Sequence, residues 1–343
     1  MRRRGVVGTT VVLAATAGML VPAVAPVPAS ADTPPAVSAP ASFTPYVDTT
    51  LDPPYDLIGA ANSTGVKDFN LAFVVSGGGC TPEWGGINEL NHDGVLGQID
   101  QLRQLGGDVR VSFGGAHGTE LAQACSTATS LADAYQQVIT AYGVDKIDVD
   151  VEGAALPDMA ANTRRNQAIA GLQRAATAGH PLDVSFTLPV LPSGLTQDDL
   201  DLLRDAKADG VAVTAVNVMA MDYGDGAAPS PAGRMGQYAI DAATATQAQL
   251  KDLYGINDTQ AWQRIAVTPM IGVNDASDEM FTPADAAQLA AFAGAKHLAW
   301  LSMWSTTRDQ ACTAGVVDAA LPTCSGVRQQ PLDFSRTLDE YTG

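Results

Sequence analysis

The stretch that most constrains this chain is Val144 to Gly153, which reads VDKIDVDVEG. Its β-branched residues favour an extended strand. In a strand, Asp148, Asp150 and Glu152 lie on one face, about 7 Å apart for consecutive pairs, and the Ile and Val residues take the other face. Three acids that faced a dry core would destabilise the fold, because buried unpaired charges are costly. The strand therefore predicts a wet or catalytic pocket.

An acidic run of this kind has two simpler interpretations, a solvated loop and a calcium loop. Calcium loops place Gly and Asn between their acids to make a tight turn, whereas this run is β-branched and typical of a strand. We therefore favour the strand and its pocket.

The first residues have the three parts of a secretory signal. Arginines follow Met1, an apolar run extends from Val6 to Val21, and small residues end the segment at Ala29-Ser30-Ala31. We expect residues 1–31 to be removed and the protein to be secreted and extracellular. Residues 32–42 are rich in Pro and Ala and predict a short leader. No later apolar run reaches the ~20 residues of a membrane span, so no membrane partner is expected.

The charge of the chain narrows its partners. It has 19 basic and 37 acidic residues, and removal of the three signal arginines leaves a net charge of −21. Such a surface repels phosphate backbones, which argues against nucleic acid. A neutral or cationic substrate is expected.

From residue 43 onward, strand-like and helix-like patterns alternate over ~300 residues, which suits one large domain. The predicted strands are Phe43 to Asp48, Phe69 to Val75, Val109 to Gly114, Lys146 to Glu152, Asp183 to Pro189, Ala215 to Asp222, Ile265 to Ile271 and His297 to Trp304. The predicted helices are Asp93 to Leu105, Thr129 to Tyr142, Asn162 to Ala178, Thr196 to Lys207, Gln237 to Tyr254 and one that Thr282 caps. This alternation favours an α/β fold, a TIM (β/α)8 barrel over residues 43–343, with functional residues at the carboxyl ends of the strands.

Four cysteines, Cys80, Cys125, Cys312 and Cys324, lack the paired spacing of a zinc site and predict two disulfides in an oxidising compartment. Cys312 and Cys324 are 12 residues apart after the last strand. The other two follow strand ends on neighbouring loops. We therefore favour the pairs 80–125 and 312–324 among the three connectivities.

Several motifs together resemble one enzyme family. Asp145-x-x-Asp148-x-Asp150-x-Glu152 resembles the signature of glycoside hydrolase family 18, the chitinases and related endo-N-acetylglucosaminidases. Ser112-Phe113-Gly114-Gly115 after the third strand resembles the second motif of the family. Met219 to Tyr223 on the sixth strand and Trp304-Ser305 on the eighth add to the resemblance, which covers the chain from about Phe43 onward.

The sixth strand departs from many family members. Met221 precedes Asp222 where those members have Tyr, and Tyr223 follows. Whether Tyr223 takes the role of the family tyrosine therefore stays open.

The resemblance implies a retaining mechanism in which the acetamido oxygen of the substrate is the nucleophile. Glu152 would be the general acid and base. Asp150 would raise the pKa of Glu152 by like-charge repulsion, share a proton with Asp148 and then turn to hold the acetamido N–H. Asp222 and Tyr223 complete the expected catalytic set.

The same resemblance implies that Trp304 is the apolar floor beneath a distorted sugar. We also expect Met219, Met270 and Gly114 at the substrate, and Trp84 at an outer subsite. A Trp or Met at such a place is alternatively part of the core.

Other chemistries find little support. The four histidines, His92, His117, His180 and His297, have no metal-ligand spacing, and the chain has no G-x-S-x-G nucleophile elbow. We expect neither a metal nor a cofactor. The expected protein is a secreted, monomeric chitinase that cuts chitin or chitooligosaccharides. Two alternatives stay open: an endo-β-N-acetylglucosaminidase that acts on N-glycans, and a silent glycan-binding protein of the same fold, which loss of Glu152 would mark.

Overall fold

Eight parallel strands follow one another around a barrel in chain order. They are β1 (Tyr46–Asp48), β2 (Asp68–Ser76), β3 (Asp108–Gly114), β4 (Lys146–Asp150), β5 (Asp183–Pro189), β6 (Ala215–Ala220), β7 (Ile265–Pro269) and β8 (Trp300–Leu301). The sheet closes on itself because Phe43 and Leu301 form a parallel bridge. The N–H groups of Thr44 and Tyr46 donate to the carbonyls of Leu301 and Met303 at 2.8 and 3.1 Å. The predicted barrel fold is confirmed.

The computed structural model describes residues 43–343 apart from 92, 93, 95, 178 and 277, together with Met1, Gly5 and Gly8. The predicted signal sequence and leader otherwise lie outside the described residues, as does His92. Within the described part of the chain, no helix is long and apolar enough to cross a membrane.

Helices pack around the barrel. They are α1 (Leu57–Thr64), α2 (Ile99–Gln104), α3 (Leu121–Ala124), α4 (Ala128–Tyr142), α5 (Met159–Ala175), α6 (Gln197–Ala208), α7 (Met235–Tyr254), α8 (Asp258–Trp262), α9 (Pro283–Lys296) and α10 (Asp333–Leu338). The predicted cap of α9 is confirmed, since Thr282 and Asp285 bond each other's backbone N–H and Pro283 occupies the first turn. The helices α1, α3, α8 and α10 were not predicted.

Most predicted strand limits agree with the structure to within about three residues. The strand predicted at Asp183 to Pro189 is correct at both ends. The last strand, Trp300–Leu301, begins later than predicted because His297 is still the left-handed cap of α9, with φ of 56°, and it also ends before the predicted Trp304. Three short strands outside the barrel were also missed: Pro82–Trp84, Gly272–Val273 and Met280–Phe281.

The fourth strand has the two faces that its sequence predicts. Its Val149 and its Ile147 are fully buried towards the helices, while Asp148 and Asp150 point into the barrel. The parallel register sets Asp148 between Ser112 of β3 and Ser185 of β5. The strand therefore delivers its carboxylates into a layer of inward-facing polar side chains.

Both disulfide predictions are confirmed. Cys80 is bonded to Cys125 across a sequence separation of 45, and Cys312 to Cys324 across 12. The first bond ties the loop after β2 to the end of α3. The second closes the segment after β8.

Candidate active site

A cavity of about 560 Å³ opens at the carboxyl ends of the barrel strands. The strands and the residues directly after them line it, including Asp48 from β1, Asp150 from β4 and Thr187 from β5. Glu152 also lines it, two residues beyond the end of β4. This is the end of a TIM barrel at which active sites form.

Asp148 lies beneath the cavity, 1% exposed, and accepts hydrogen bonds from four hydroxyl groups. The donors are Ser112 at 2.7 Å, Ser185 at 2.6 Å, Tyr46 at 2.9 Å and Thr187 at 2.9 and 3.0 Å. A buried carboxylate is stable only when its oxygens are satisfied in this way. The oxygens of Asp148 are therefore held in place, and their acceptor positions are already used.

Asp150 has the opposite environment. It is 4% exposed, and its Oδ1 atom is buried without a hydrogen-bond partner. Burial raises the pKa of Asp150 well above its usual value, and the negative charges of Glu152 and Asp148 add to the rise. The free oxygen and the raised pKa describe a carboxyl group that keeps its proton to higher pH than an exposed aspartate does and that has a hydrogen-bonding position to offer.

Glu152 is half-buried and has extended backbone geometry directly before the 3₁₀ turn Gly153–Ala155. Burial raises the pKa of Glu152, the neighbouring His117 lowers it, and the charge of Asp222 raises it. Sequence reasoning attributed this rise to Asp150. In the structure burial is the largest cause, and the stronger rise is at Asp150 itself. A raised pKa keeps a carboxylic acid protonated nearer to neutral pH, which is what a general acid requires.

An aromatic group forms one wall of the cavity. Trp304 is half-buried, and its ring stacks on that of Phe73 with centroids 5.5 Å apart and planes 20° apart. Tyr46 packs against both rings, at 6.1 Å from Trp304 and 6.0 Å from Phe73. The stack holds the indole in one orientation while it lines the cavity. Such a face is suited to packing on the C–H groups of a sugar ring.

Comparison with known proteins finds chitinases. No family model matches the chain. Active domain 2 of a chitinase from Pyrococcus furiosus, solved as catalytic site mutants, has 32% sequence identity to the chain and a TM-score of 0.78, over 87% of this chain and 94% of that one. The chain belongs to glycoside hydrolase family 18.

Curated relatives agree with membership of family 18. A probable bifunctional chitinase/lysozyme of Escherichia coli K12 is 36% identical over 275 residues, and Endochitinase 11 of Metarhizium anisopliae is 35% identical over 276. Each match covers 78% of this chain but only 31% and 52% of the relatives. The chain thus spans about half, or less, of the curated relatives that it matches.

Three of the other residues expected at the family 18 site, Met219, Met270 and Asp222, line the cavity. Gly114 stands behind it, at φ of +101°, where a Cβ atom would lie 2.1 Å from the carbonyl oxygen of Asp150. Because no side chain fits there, Gly114 sets the close approach of β3 to β4, and it is not among the residues that line the cavity.

Trp84 lies outside the cavity, contrary to expectation. It is 1% exposed, its Nε1 donates to Tyr142 Oη at 2.8 Å, and the two rings pack at 5.7 Å. No face of this indole is free for a sugar. The strand Pro82–Trp84 pairs with β2 and turns the side chain inward, which the sequence pattern did not predict.

Tyr223 is likewise turned away from the cavity. It is 7% exposed, packs edge-on against Tyr238 at 6.1 Å, and its hydroxyl has no hydrogen-bond partner. Met221 is the side chain that lines the cavity on this segment. Met221, and not Tyr223, therefore lines the cavity directly after the sixth strand.

Sequence reasoning missed three of the residues that donate to Asp148. Tyr46, Ser185 and Thr187 all lie in strands that were predicted correctly. A signal was present, because Ser185 and Thr187 alternate with apolar residues and share the inward face of β5. Within the described residues, no group of three His, Cys, Asp or Glu side chains is arranged to hold a metal ion.

Proposed function

We propose that this protein is a secreted, monomeric chitinase that hydrolyses β-1,4-linked N-acetylglucosamine in chitin or chitooligosaccharides with retention. The observation that carries the proposal is the pairing of two carboxyl groups in one cavity, Glu152 and Asp150, above a third, Asp148, that four hydroxyl groups hold in place. A structure of the related Pyrococcus furiosus domain, 31% identical, is complexed with chito-oligosaccharides.

Glu152 supplies the proton. It lies just beyond the carboxyl end of β4, and burial raises its pKa, so it is protonated in a larger fraction of molecules than an exposed glutamate would be. In the proposed reaction it protonates the glycosidic oxygen, and the bond between that oxygen and the anomeric carbon breaks. The resulting carboxylate then takes a proton from the water that enters.

Asp150 positions the nucleophile. Its unpartnered Oδ1 accepts the N–H of the substrate's acetamido group, which aims the acetamido oxygen at the anomeric carbon. That oxygen attacks as the leaving group departs, and water later opens the cyclic intermediate. Two inversions at one carbon restore the β configuration.

Trp304 and the two methionines complete the proposal for binding. The stacked indole forms an apolar floor beneath the sugar whose bond breaks, with Met219 and Met270 beside it. The substrate is uncharged, which is compatible with a chain whose net charge is −18. Secretion rests on the pattern of residues 1–31, and mass spectrometry of culture medium for a protein that begins near Asp32 tests it.

The test compares two substrates and one variant. Purified protein is incubated with a chitin hexamer and, separately, with an N-glycoprotein, and the products are separated by mass. We expect oligomer cleavage, no glycan release, and a loss of about 10² to 10⁴ in the turnover of Glu152→Gln with little loss of oligomer binding. Glycan release without oligomer cleavage would favour the endo-β-N-acetylglucosaminidase. Binding without any turnover by the wild type would favour the silent glycan-binding protein.

A further inference from the structure

A hydrogen-bonded chain crosses the barrel interior from β7 to the carboxylate of Asp148. Thr268 Oγ1 donates to Asn217 Oδ1 at 2.8 Å. The amide nitrogen of Asn217 donates to two hydroxyl oxygens, that of Thr187 at 3.0 Å and that of Tyr46 at 3.2 Å. Those two hydroxyls are within 3.0 Å of Asp148. All five side chains are 2% exposed or less, and Tyr46, Thr187 and Thr268 border the cavity.

The direction of these bonds matters because a hydroxyl has one proton. Tyr46 Oη and Thr187 Oγ1 also lie 2.9 Å from each other, so either proton has a second acceptor. A hydrogen from the Asn217 amide occupies a lone pair on each oxygen, which leaves the hydroxyl protons for the carboxylate. If the amide were reversed, its oxygen would attract those protons and Asp148 would lose two of its four donors. The bond from Thr268 holds the amide in the first orientation.

Few charged groups lie near Asp148 besides this series of hydrogen-bonded side chains. On its own strand Asp150 is the neighbouring acid, and from β1 the phenol of Tyr46 faces it. From β3 Arg110 faces it across Ser185, with its Nη1 3.5 Å from Ser185 Oγ and 2.7 Å from Asp183 of β5. The Thr268 and Asn217 side chains are uncharged, so they act on Asp148 only by orienting protons.

We propose that Asn217, oriented by Thr268, is a positioning residue for the acid pair Asp148 and Asp150. It turns two hydroxyl protons towards Asp148, which keeps that group ionised and leaves the proton of the pair on Asp150. The proton of the pair is therefore held mainly on the carboxyl group that lines the cavity, next to Glu152. This inference deepens the proposed function and rests on it for its catalytic consequence.

The test is the acidic limb of the pH profile of kcat/KM on a chitin oligomer. In Thr268→Val the amide loses the bond that orients it, and in Asn217→Ala the donor itself is lost. With fewer hydrogen-bond donors to the carboxylate of Asp148, the pair of Asp148 and Asp150 releases its first proton at higher pH. The acidic limb of the profile therefore moves up by about one pH unit. Thr268→Ser restores the hydroxyl and should return the limb towards the wild-type position. Thr246→Val is the matched control, since Thr246 is a fully buried threonine of α7 whose hydroxyl has no partner.

A second readout needs no turnover. In protein labelled with carbon-13 at the aspartate carboxyls, the first titration step of the pair is followed by NMR, and the same upward shift is expected in Thr268→Val. If the wild type fails to cleave the oligomer, the proposed function is wrong, and the NMR titration still decides the positioning role. An unchanged limb and an unchanged titration in folded Thr268→Val would overturn the inference while leaving the proposed function intact.

Discussion

Arg165 and Glu120 form a buried ion pair, and its disruption gives a quantitative prediction. Arg165 is 0% exposed and Glu120 is 6% exposed. Arg165 Nε donates to Glu120 Oε1 at 2.7 Å, Nη2 donates to Oε2, and Nη1 donates to Asn162 Oδ1 at 2.6 Å. Glu120 lies directly before α3, in the segment that follows β3, and Arg165 lies in α5. The ion pair therefore joins that segment to α5.

Arg165→Met removes all three bonds and leaves a buried carboxylate without its charge partner. Breaking such a pair costs about 3–5 kcal/mol. The orphaned Asn162 oxygen adds about 1 kcal/mol, so the expected loss in the free energy of unfolding is about 4–6 kcal/mol. At about 2 °C per kcal/mol for a domain of this size, Tm falls by ~10 °C.

The assay is equilibrium urea unfolding, followed by tryptophan fluorescence. The double variant E120Q/R165M should recover about 3 kcal/mol of the loss, because it leaves no buried charge. Arg204→Met is the control, since Arg204 pairs with Asp201 at 2.6 Å on the surface, and its loss should stay within about 0.5 kcal/mol. A loss below about 1 kcal/mol in Arg165→Met, or a double variant less stable than the single one, would refute this reasoning.

Three further predictions concern stability and the wall of the cavity. Because burial raises the pKa of Asp150, its contribution to stability is complete below the usual carboxyl pKa and is lost as pH rises through the raised value. Asp150→Asn should therefore be inactive yet more stable than wild type at pH 7, with the difference in Tm closing towards ~4; a difference independent of pH would contradict the raised pKa. Tyr223→Phe should leave kcat/KM unchanged, because the Tyr223 hydroxyl has no hydrogen-bond partner and the side chain lies outside the cavity; a fall of about tenfold would place this residue in the active site. Removal of the bond between Cys312 and Cys324 with serines should lower the free energy of unfolding by about 3 kcal/mol, and urea unfolding that shows no loss would exclude a stabilising role.

The barrel strands were predictable because their patterns are long and regular. The alternation around Asp148 identified both faces of β4, and the neighbouring strands followed from buried apolar runs. The short helices were harder, since α3 and α8 have only four and five residues and offer little periodicity to detect. Their positions depend on packing against the barrel more than on local preference.

The residues of the candidate site likewise include some that the sequence predicts and some that it does not. Asp148, Asp150 and Glu152 were predicted because three carboxylates on one face of a strand would destabilise an apolar core. The orientation of Trp84 was missed because it depends on a pairing with β2 that is set by tertiary structure. The hydroxyl donors to Asp148 come from β1, β3 and β5, and a single sequence does not say which inward-facing residues of different strands meet at one height of the barrel. That height is fixed by the register of the closed sheet.

The most direct test of the central claim is the product of partially acetylated chitosan. If the substrate's acetamido group is the nucleophile that Asp150 positions, a sugar with a free amine has nothing with which to attack. The new reducing ends should then be N-acetylglucosamine only, and NMR of the fresh product should find the β anomer first. Abundant glucosamine at the new reducing ends, or α anomer as the initial product, would contradict the account of Glu152, Asp150 and Asp148 given above.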